Sequence, residues 1–401
     1  MNGLDFIAGS WFHYVTFPAL GGGVRLMFCP ETGLVDTGCV RRYPKISIIV
    51  PVPPDMESPH SLPPLARLNY PEHDYEVIVA RGRHPSKQRN SAAEMAEGEI
   101  LFFLDDDSIA DEQLLLNNVA YYRDPNVACV GGPNIDSVDE GVVGKAASSV
   151  LASIFGDARG CKRFAQRGSA RPVAEDGLIL CNVSARKDLF TLVGGFPENL
   201  YPNEENAFLS RILRNPRHCK IMYAPAAFVR RPRPTTAGGF IGKMFGYGMG
   251  RLNQTFVAPS AICALRMIAG FFPLYWVVVP LLAPMLALWS AAVYCCCDGI
   301  MAAKILATTG SPSVAALSML LFPCMHMFYG LGILWALLLK ITGLQTTRGG
   351  SVEVRRIKAF CDAREKVLSP ETKESRKHGP DSIPQTRVEP QTVPVATAVG
   401  S

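Results

Sequence analysis

Residues 86–108 read SKQRNSAAEMAEGEILFFLDDDS: a polar, Ala-rich segment closed by Gly98, an unbroken apolar run at 100–104, and three adjacent carboxylates. The first part has the composition of a helix, with Ser86 as a candidate cap and Gly98 as its stop. The second is a buried strand bounded by polar residues. Asp105, Asp106 and Asp107 then close that strand. Adjacent carboxylates repel by roughly 1 kcal/mol per close pair even in water, so a positive partner is expected at this point.

Working outward, KISIIVPV (45–52) and YEVIVA (75–80) are short β-branched runs that read as buried parallel strands. DEQLLLNNVAYYRD (111–124) spaces its apolar residues as a helix does, and NVACVGGPN (126–134) returns to strand and turn. GLILCNVSARKDLFTLVGGF (177–196) reads as strand, turn and short helix, NEENAFLSRILR (203–214) as a helix with its acids at the start, and KIMYAPAAFVRR (220–231) as a strand. The basic, Gly-containing stretch 156–172 reads as a mobile loop. This alternation predicts an α/β fold with a mixed, mostly parallel sheet, whose ligands gather at the carboxyl ends of its strands. The triple Asp stands at such an end.

Apolar residues make up 48% of the 401-residue chain and are spread unevenly, for Arg266–Lys340 is almost free of charge. Two stretches there, 270–297 and 314–340, exceed the ~20 residues needed to cross a bilayer. Asp298 and Lys304 interrupt the hydrophobicity between them, and a third membrane segment is left open. Basic residues follow Lys340, which favours two crossings with both ends in the cytoplasm. The expected organisation is an extension over 1–43 with no assigned role, a catalytic domain over 44–258, a membrane domain over 259–345, and a cytoplasmic tail over 346–401 that is disordered from about 369. The N-terminus has no secretory signal pattern. The 12 cysteines form no CxxC pair, which argues against zinc and disulfides and for a reducing compartment. A net charge of +5 is too mild for nucleic acid.

Several residues carry chemistry, and each has a plainer alternative. The Asp run caps the following helix, or it is a D-x-D site whose Asp105 and Asp107 point one way and hold Mg or Mn on a diphosphate. Glu204 and Glu205 either cap a helix or supply a general base. Arg89 and Asn90 open the helix before the Asp strand, as solvated polar residues or as donor contacts. Asn182 and the turn Gly194-Gly195-Phe196 are an ordinary turn or an acceptor floor. Lys243 and Arg251, in GKMFGYGMGRLNQ (242–254), meet either lipid headgroups or a diphosphate. His326, within an apolar run, reads as a neutral imidazole bonded to a backbone carbonyl.

In their order, KISIIVPV, YEVIVA, QRNSAAEMAEGEILFFLDDDS, GGF and YPNEENAFLSR resemble the motifs of family 2 glycosyltransferases over about residues 45–255. The likeness is greatest to membrane-anchored bacterial enzymes of exopolysaccharide assembly, including the succinoglycan glucosyltransferase type. The resemblance implies a GT-A type fold, a nucleotide-diphosphate sugar donor with a UDP-sugar as first choice, a divalent metal (Mg or Mn), and inversion at the anomeric carbon. It further implies a lipid-linked glycan acceptor and a multi-pass protein of the inner membrane with its catalytic domain in the cytoplasm. Asp105 would contact ribose or metal and Asp107 the metal, with Arg89 and Asn90 placing the donor. Glu205 would be the base, Glu204, Asn182, Gly194, Gly195 and Phe196 would bind acceptor, and Arg251 would meet a donor or lipid diphosphate. The chain departs from the family in two ways. No Asp follows the second strand, where YEVIVA runs into Arg81, and the Q-x-x-R-W motif of processive synthases is missing, which favours one sugar per encounter. A tethered nucleotide-sugar-binding protein without catalysis is the alternative.

Overall fold

The computed structural model describes residues 43–137, 140–157, 161–217, 219–344 and 351–360, together with five short strands before residue 43. Those five form a two-stranded antiparallel sheet (Phe6–Ile7, Ser10–Trp11) and a three-stranded one (His13–Thr16, Arg25–Cys29, Leu34–Asp36). The tail expected to be disordered lies outside the described residues.

The apolar runs become strands β1 (Ile46–Val52), β2 (Tyr75–Arg81) and β3 (Ile100–Leu104), the last two flanking helix α1 (Pro85–Met95). Then come β4 (Ile109–Ala110), α2 (Leu114–Val119), β5 (Val127–Gly131), β6 (Asn134–Asp136), α3 (Val142–Leu151), β7 (Arg171–Pro172), β8 (Asn182–Arg186) and α4 (Lys187–Leu192). The chain continues through α5 (Glu204–Leu213), β9 (Lys220–Tyr223) and β10 (Val229–Arg231). After β10 come α6 (Ala237–Val257), α7 (Ala261–Met267) running on to α8 (Phe271–Leu282), α9 (Pro284–Thr309), α10 (Pro312–Ile341) and the last strand, β11 (Glu353–Lys358).

The main sheet has the order β7-β9-β5-β8-β3-β1-β2-β11. Strands β1, β2, β3, β5 and β9 run one way and β7, β8 and β11 the other, so the sheet is mixed with a parallel centre. Both faces are covered. Ile46, Ile48, Val50, Phe102 and Leu104 enter one core while Ile49, Leu101 and Phe103 enter the other, the two-residue alternation of strands buried on both sides.

Local detail departs from expectation at several points. Helix α1 starts at Pro85, capped by His84 Nδ1, while Ser86 lies inside it and donates to the Leu200 carbonyl. The segment 111–124 holds only a short α2 and one 3-10 turn. The stretch read as a mobile loop carries a 3-10 turn at Cys161–Phe164, tied down by Arg163 on Asp157 and by Tyr223, which donates to the Lys162 carbonyl.

The C-terminal part differs more. Three helical segments, Ala261–Leu282, Pro284–Thr309 and Pro312–Ile341, are long and apolar enough to cross a membrane. The stretch 270–297, read as one span, is broken at Ala283 (φ −147°, ψ 71°) just before Pro284, and Asp298 and Lys304 lie inside α9. After α10 the chain returns to the sheet. Strand β11 adds antiparallel to β2 with Glu353 opposite Arg81 and Lys358 opposite Val77, so residues assigned to a separate tail complete the main sheet. Glu76, fully buried on β2, accepts from Ser47 Oγ at 2.6 Å and the Glu97 amide at 2.7 Å, and meets Arg356 Nε of β11 at 2.7 Å.

Candidate active site

The carboxyl ends of β3 and β10 and the start of α5 open into one cavity of about 1040 Å3. Its polar end is lined by Arg89, Asp105, Asp106, Glu204, Glu205 and Arg231. Its other end is lined by Leu265, Ile268, Ala269, Met325, His326 and Tyr329, which belong to the apolar helices and their lead-in.

The positive partner demanded by the Asp run is arginine. Arg231, the last residue of β10, places Nη1 2.7 Å from Asp105 Oδ2 and Nε 2.6 Å from Asp107 Oδ1. The second contact is too poorly aligned to be a hydrogen bond and acts as a charge contact. Arg89 reaches from α1 to Asp105 Oδ1 at 2.6 Å and to Glu204 Oε1 at 3.0 Å. The result is a chain of alternating charge, Glu204–Arg89–Asp105–Arg231–Asp107, buried at its Glu204–Arg89 end and half-buried at the other. Burial works to raise the Asp105 carboxyl, but Arg231 and Arg89 outweigh it and hold it below the usual range. Asp106, which faces no arginine this closely, is raised by burial and by its two neighbours.

At the start of α5 the two glutamates are held differently. Glu204 is committed to Arg89. Glu205 is 8% exposed, accepts from Asn206 Nδ2 at 3.4 Å, and faces the charges of Arg163 and Arg251. Burial raises both carboxyls; Arg89 draws Glu204 back, while Arg163 and Arg251 draw back Glu205. Arg251, on α6, is buried and bonds to Tyr329 Oη at 3.2 Å and Gln254 Oε1 at 2.6 Å. Burial makes such a carboxylate a stronger base, while the arginines beside it stabilise the anionic form that is ready to accept a proton.

Not every residue singled out in the sequence reaches the cavity. Asn90 spends its amide on the turn, donating to the Phe196 carbonyl at 2.8 Å and accepting from the Phe196 amide at 3.0 Å. It positions that turn and does not line the donor end. Gly195 (φ 61°) is required there, since a Cβ would lie 2.7 Å from Asn90 Oδ1. Phe196 packs on Phe103, Phe190 and Phe208, and Asn182 donates to the Ala227 carbonyl at 2.8 Å. Gly194, Gly195, Phe196 and Asn182 are not among the residues that line the cavity. His326 bonds the Phe155 carbonyl through Nε2 at 2.9 Å and Tyr294 Oη through Nδ1 at 2.7 Å.

Arg231 went unremarked in the sequence, although a basic pair ending the strand KIMYAPAAFVRR was the signal for it. Among the described residues no group of three or more His, Cys, Asp or Glu side chains is gathered so as to hold a metal ion. The oxygen-only donors of Asp105 and Asp107 suit Mg or Mn, but a cation must take from Arg231 an oxygen of each.

Residues 63–169 match the family model for glycosyl transferase family 2. No curated protein matches the chain. Among solved structures it is similar to a mannosyltransferase from Pyrobaculum calidifontis in complex with GDP-Man and Mn2+, with 16% identity, 76% of this chain and 89% of that chain covered, and a TM-score of 0.47. It is also similar to S. aureus TarS in complex with UDP-GlcNAc, with 17% identity, 76% and 93% covered, and a TM-score of 0.36.

Proposed function

Because residues 63–169 match the family 2 glycosyltransferase model and lie within a mixed α/β sheet domain, we propose that the chain is a GT-A type enzyme that transfers one sugar, with inversion, from a nucleotide-diphosphate sugar to a lipid-linked glycan at the cytoplasmic face of a bacterial inner membrane, in surface or exopolysaccharide assembly. The observation that supports this reading is the single cavity that joins the charged ends of β3 and β10 to the apolar wall of α7 and α10. A polar donor and an acceptor with a greasy carrier require those two ends to be continuous.

In this mechanism Glu205 takes the proton of the acceptor hydroxyl while the hydroxyl oxygen attacks the anomeric carbon from the face opposite the nucleotide. The bond from that carbon to the diphosphate oxygen breaks, and nucleoside diphosphate leaves. Asp105 and Asp107 would hold a divalent cation, whose chemistry is to neutralise the diphosphate charge. Arg89 keeps Glu204 and Asp105 in place. Arg251 lies beside Glu205, where a carrier diphosphate would pass. The test is to incubate purified protein and Mn or Mg with UDP- and GDP-sugars, with and without polyisoprenyl-diphosphate glycans, and to follow nucleoside diphosphate release and the lipid product. Binding of a nucleotide sugar with no transfer to any lipid-linked acceptor would favour the non-catalytic alternative.

A further inference from the structure

Helices α8 and α9 fold back on each other about Ala283. The Phe272 and Tyr294 rings, equally far in sequence from that break, lie 5.7 Å apart and both pack on His326 of α10. Below this aromatic pair one side of the helices meets protein: Cys263 of α7 is buried, Arg266 is ion-paired to Asp157 and Asp176, and Ile305 of α9 shares a core with Val314 and Phe322, while Leu265, Ile268, Ile300 and Leu306 are exposed. Above it they are bare. Residues 277–289, VVVPLLAPMLALW, contain no polar side chain, and Leu281 and Leu282 at the tip are 80% and 79% exposed.

Each bare arm is 11 residues long, which at ~1.5 Å per residue reaches ~17 Å, about half of a ~30 Å hydrocarbon layer. If the tip emerged on the far side, its apolar turn would stand in water. Within hydrocarbon, by contrast, its apolar side chains are in their own medium, and the residue at the break keeps both its backbone groups paired: the Ala283 amide bonds the Val279 carbonyl at 2.8 Å, and the Ala283 carbonyl accepts from Ala287 at 3.1 Å. A spanning α9 would also carry Asp298 and Lys304 into the bilayer, at a cost of a few kcal/mol each.

Helix α10 is held along its length by the catalytic domain. Its first half shares a core with Ala146, Val150 and Leu151 of α3 and Phe240 and Met244 of α6. Further on, a side chain at Gly248 of α6 would strike the Tyr329 carbonyl at 2.0 Å, and Lys340 sits 3.6 Å from the Phe256 ring. Strand β11 then pairs with β2. Three crossings would leave β11 across the membrane from the strand it is bonded to.

We infer that the hairpin Phe271–Tyr294 is a re-entrant anchor that dips into the leaflet facing the catalytic domain, its tip among the acyl chains, and that none of the three long apolar helices crosses the bilayer. This replaces the two full spans expected from hydropathy and does not depend on the sugar-transfer reading.

The test uses the full chain in bacterial cells. Ala283→Cys at the tip and Ser313→Cys after the α9–α10 turn are treated in intact spheroplasts with a membrane-impermeant polymer-linked maleimide, and gel shifts are compared with wild type. Neither is expected to gain a shift until the membrane is permeabilised, when Ser313→Cys gains one. A gain at either position in intact spheroplasts overturns the proposal. In a second arm, Leu281→Asp combined with Leu282→Asp is expected to leave the floating membrane fraction and appear as soluble protein. If it still floats, the hairpin is not the anchor and the proposal fails. It fails likewise if wild-type protein leaves the membrane without detergent as a soluble dimer covering the hairpin with a second copy.

Discussion

Glu204 and Glu205 are neighbours in sequence with different surroundings, which makes them separable by experiment. Glu204 is fixed on Arg89, whereas Glu205 looks into the cavity. Glu205→Gln keeps the volume and removes the proton acceptor, so transfer is expected to fall by about 10² to 10⁴ with donor affinity unchanged. Burial raises the Glu205 carboxyl, and the base works only when deprotonated. The acid limb of kcat/KM should therefore lie above the ordinary carboxylate range, with activity rising as pH climbs through it. Normal turnover by Glu205→Gln would move the base elsewhere. Arg231 yields a second prediction at this scale. If it competes with a cation for Asp105 and Asp107, Arg231→Met should tighten Mn binding in calorimetry by about tenfold, equivalent to 1.4 kcal/mol, while Asp107→Asn should weaken it. Unchanged Mn affinity in Arg231→Met would dismiss the competition. The sequence announced the need for positive charge beside three carboxylates but not its source, because the answering arginine lies more than a hundred residues away and meets them only through the fold.

Among the elements, the strongly patterned ones were legible and the exceptions have physical causes. Strands β1, β2 and β3 are short, predominantly apolar runs with no competing structure. The break at Ala283 was not legible, since hydropathy averages over windows longer than a turn and the residues around Pro284 are as apolar as the helices they separate. Nor was β11 legible. EVRRIK looks like a charged tail, and the partners of Arg356, the buried Glu76 on the neighbouring strand together with Glu97 and the Met95 carbonyl, are brought to it only by the fold. Removing one member of a buried ion pair is strongly destabilising, and because Arg356 is itself partly exposed, Arg356→Met should cost about 2 kcal/mol. A thermal melt in detergent would record this as a lower Tm, and an unchanged Tm would mean that β11 is not docked in solution.

For the molecule as a whole, the sequence conveyed a catalytic domain joined to an apolar one, but it presented them as successive segments. The structure interleaves them: α10 packs on α3 and α6, the cavity takes walls from both, and the sheet is finished by residues beyond the last apolar helix. The pairing of Glu353 with Arg81 has a consequence for biosynthesis. At ~5–20 residues per second, β2 leaves the ribosome about 15 to 50 seconds before the strand that covers it is made. Throughout that interval the nascent chain presents an open sheet edge bearing the uncompensated Glu76, and all the apolar helices must find their places before it can close. A chain cut at residue 345, which would look like removal of a dispensable tail, should remain in that unfinished state and be cleared by proteases or aggregate.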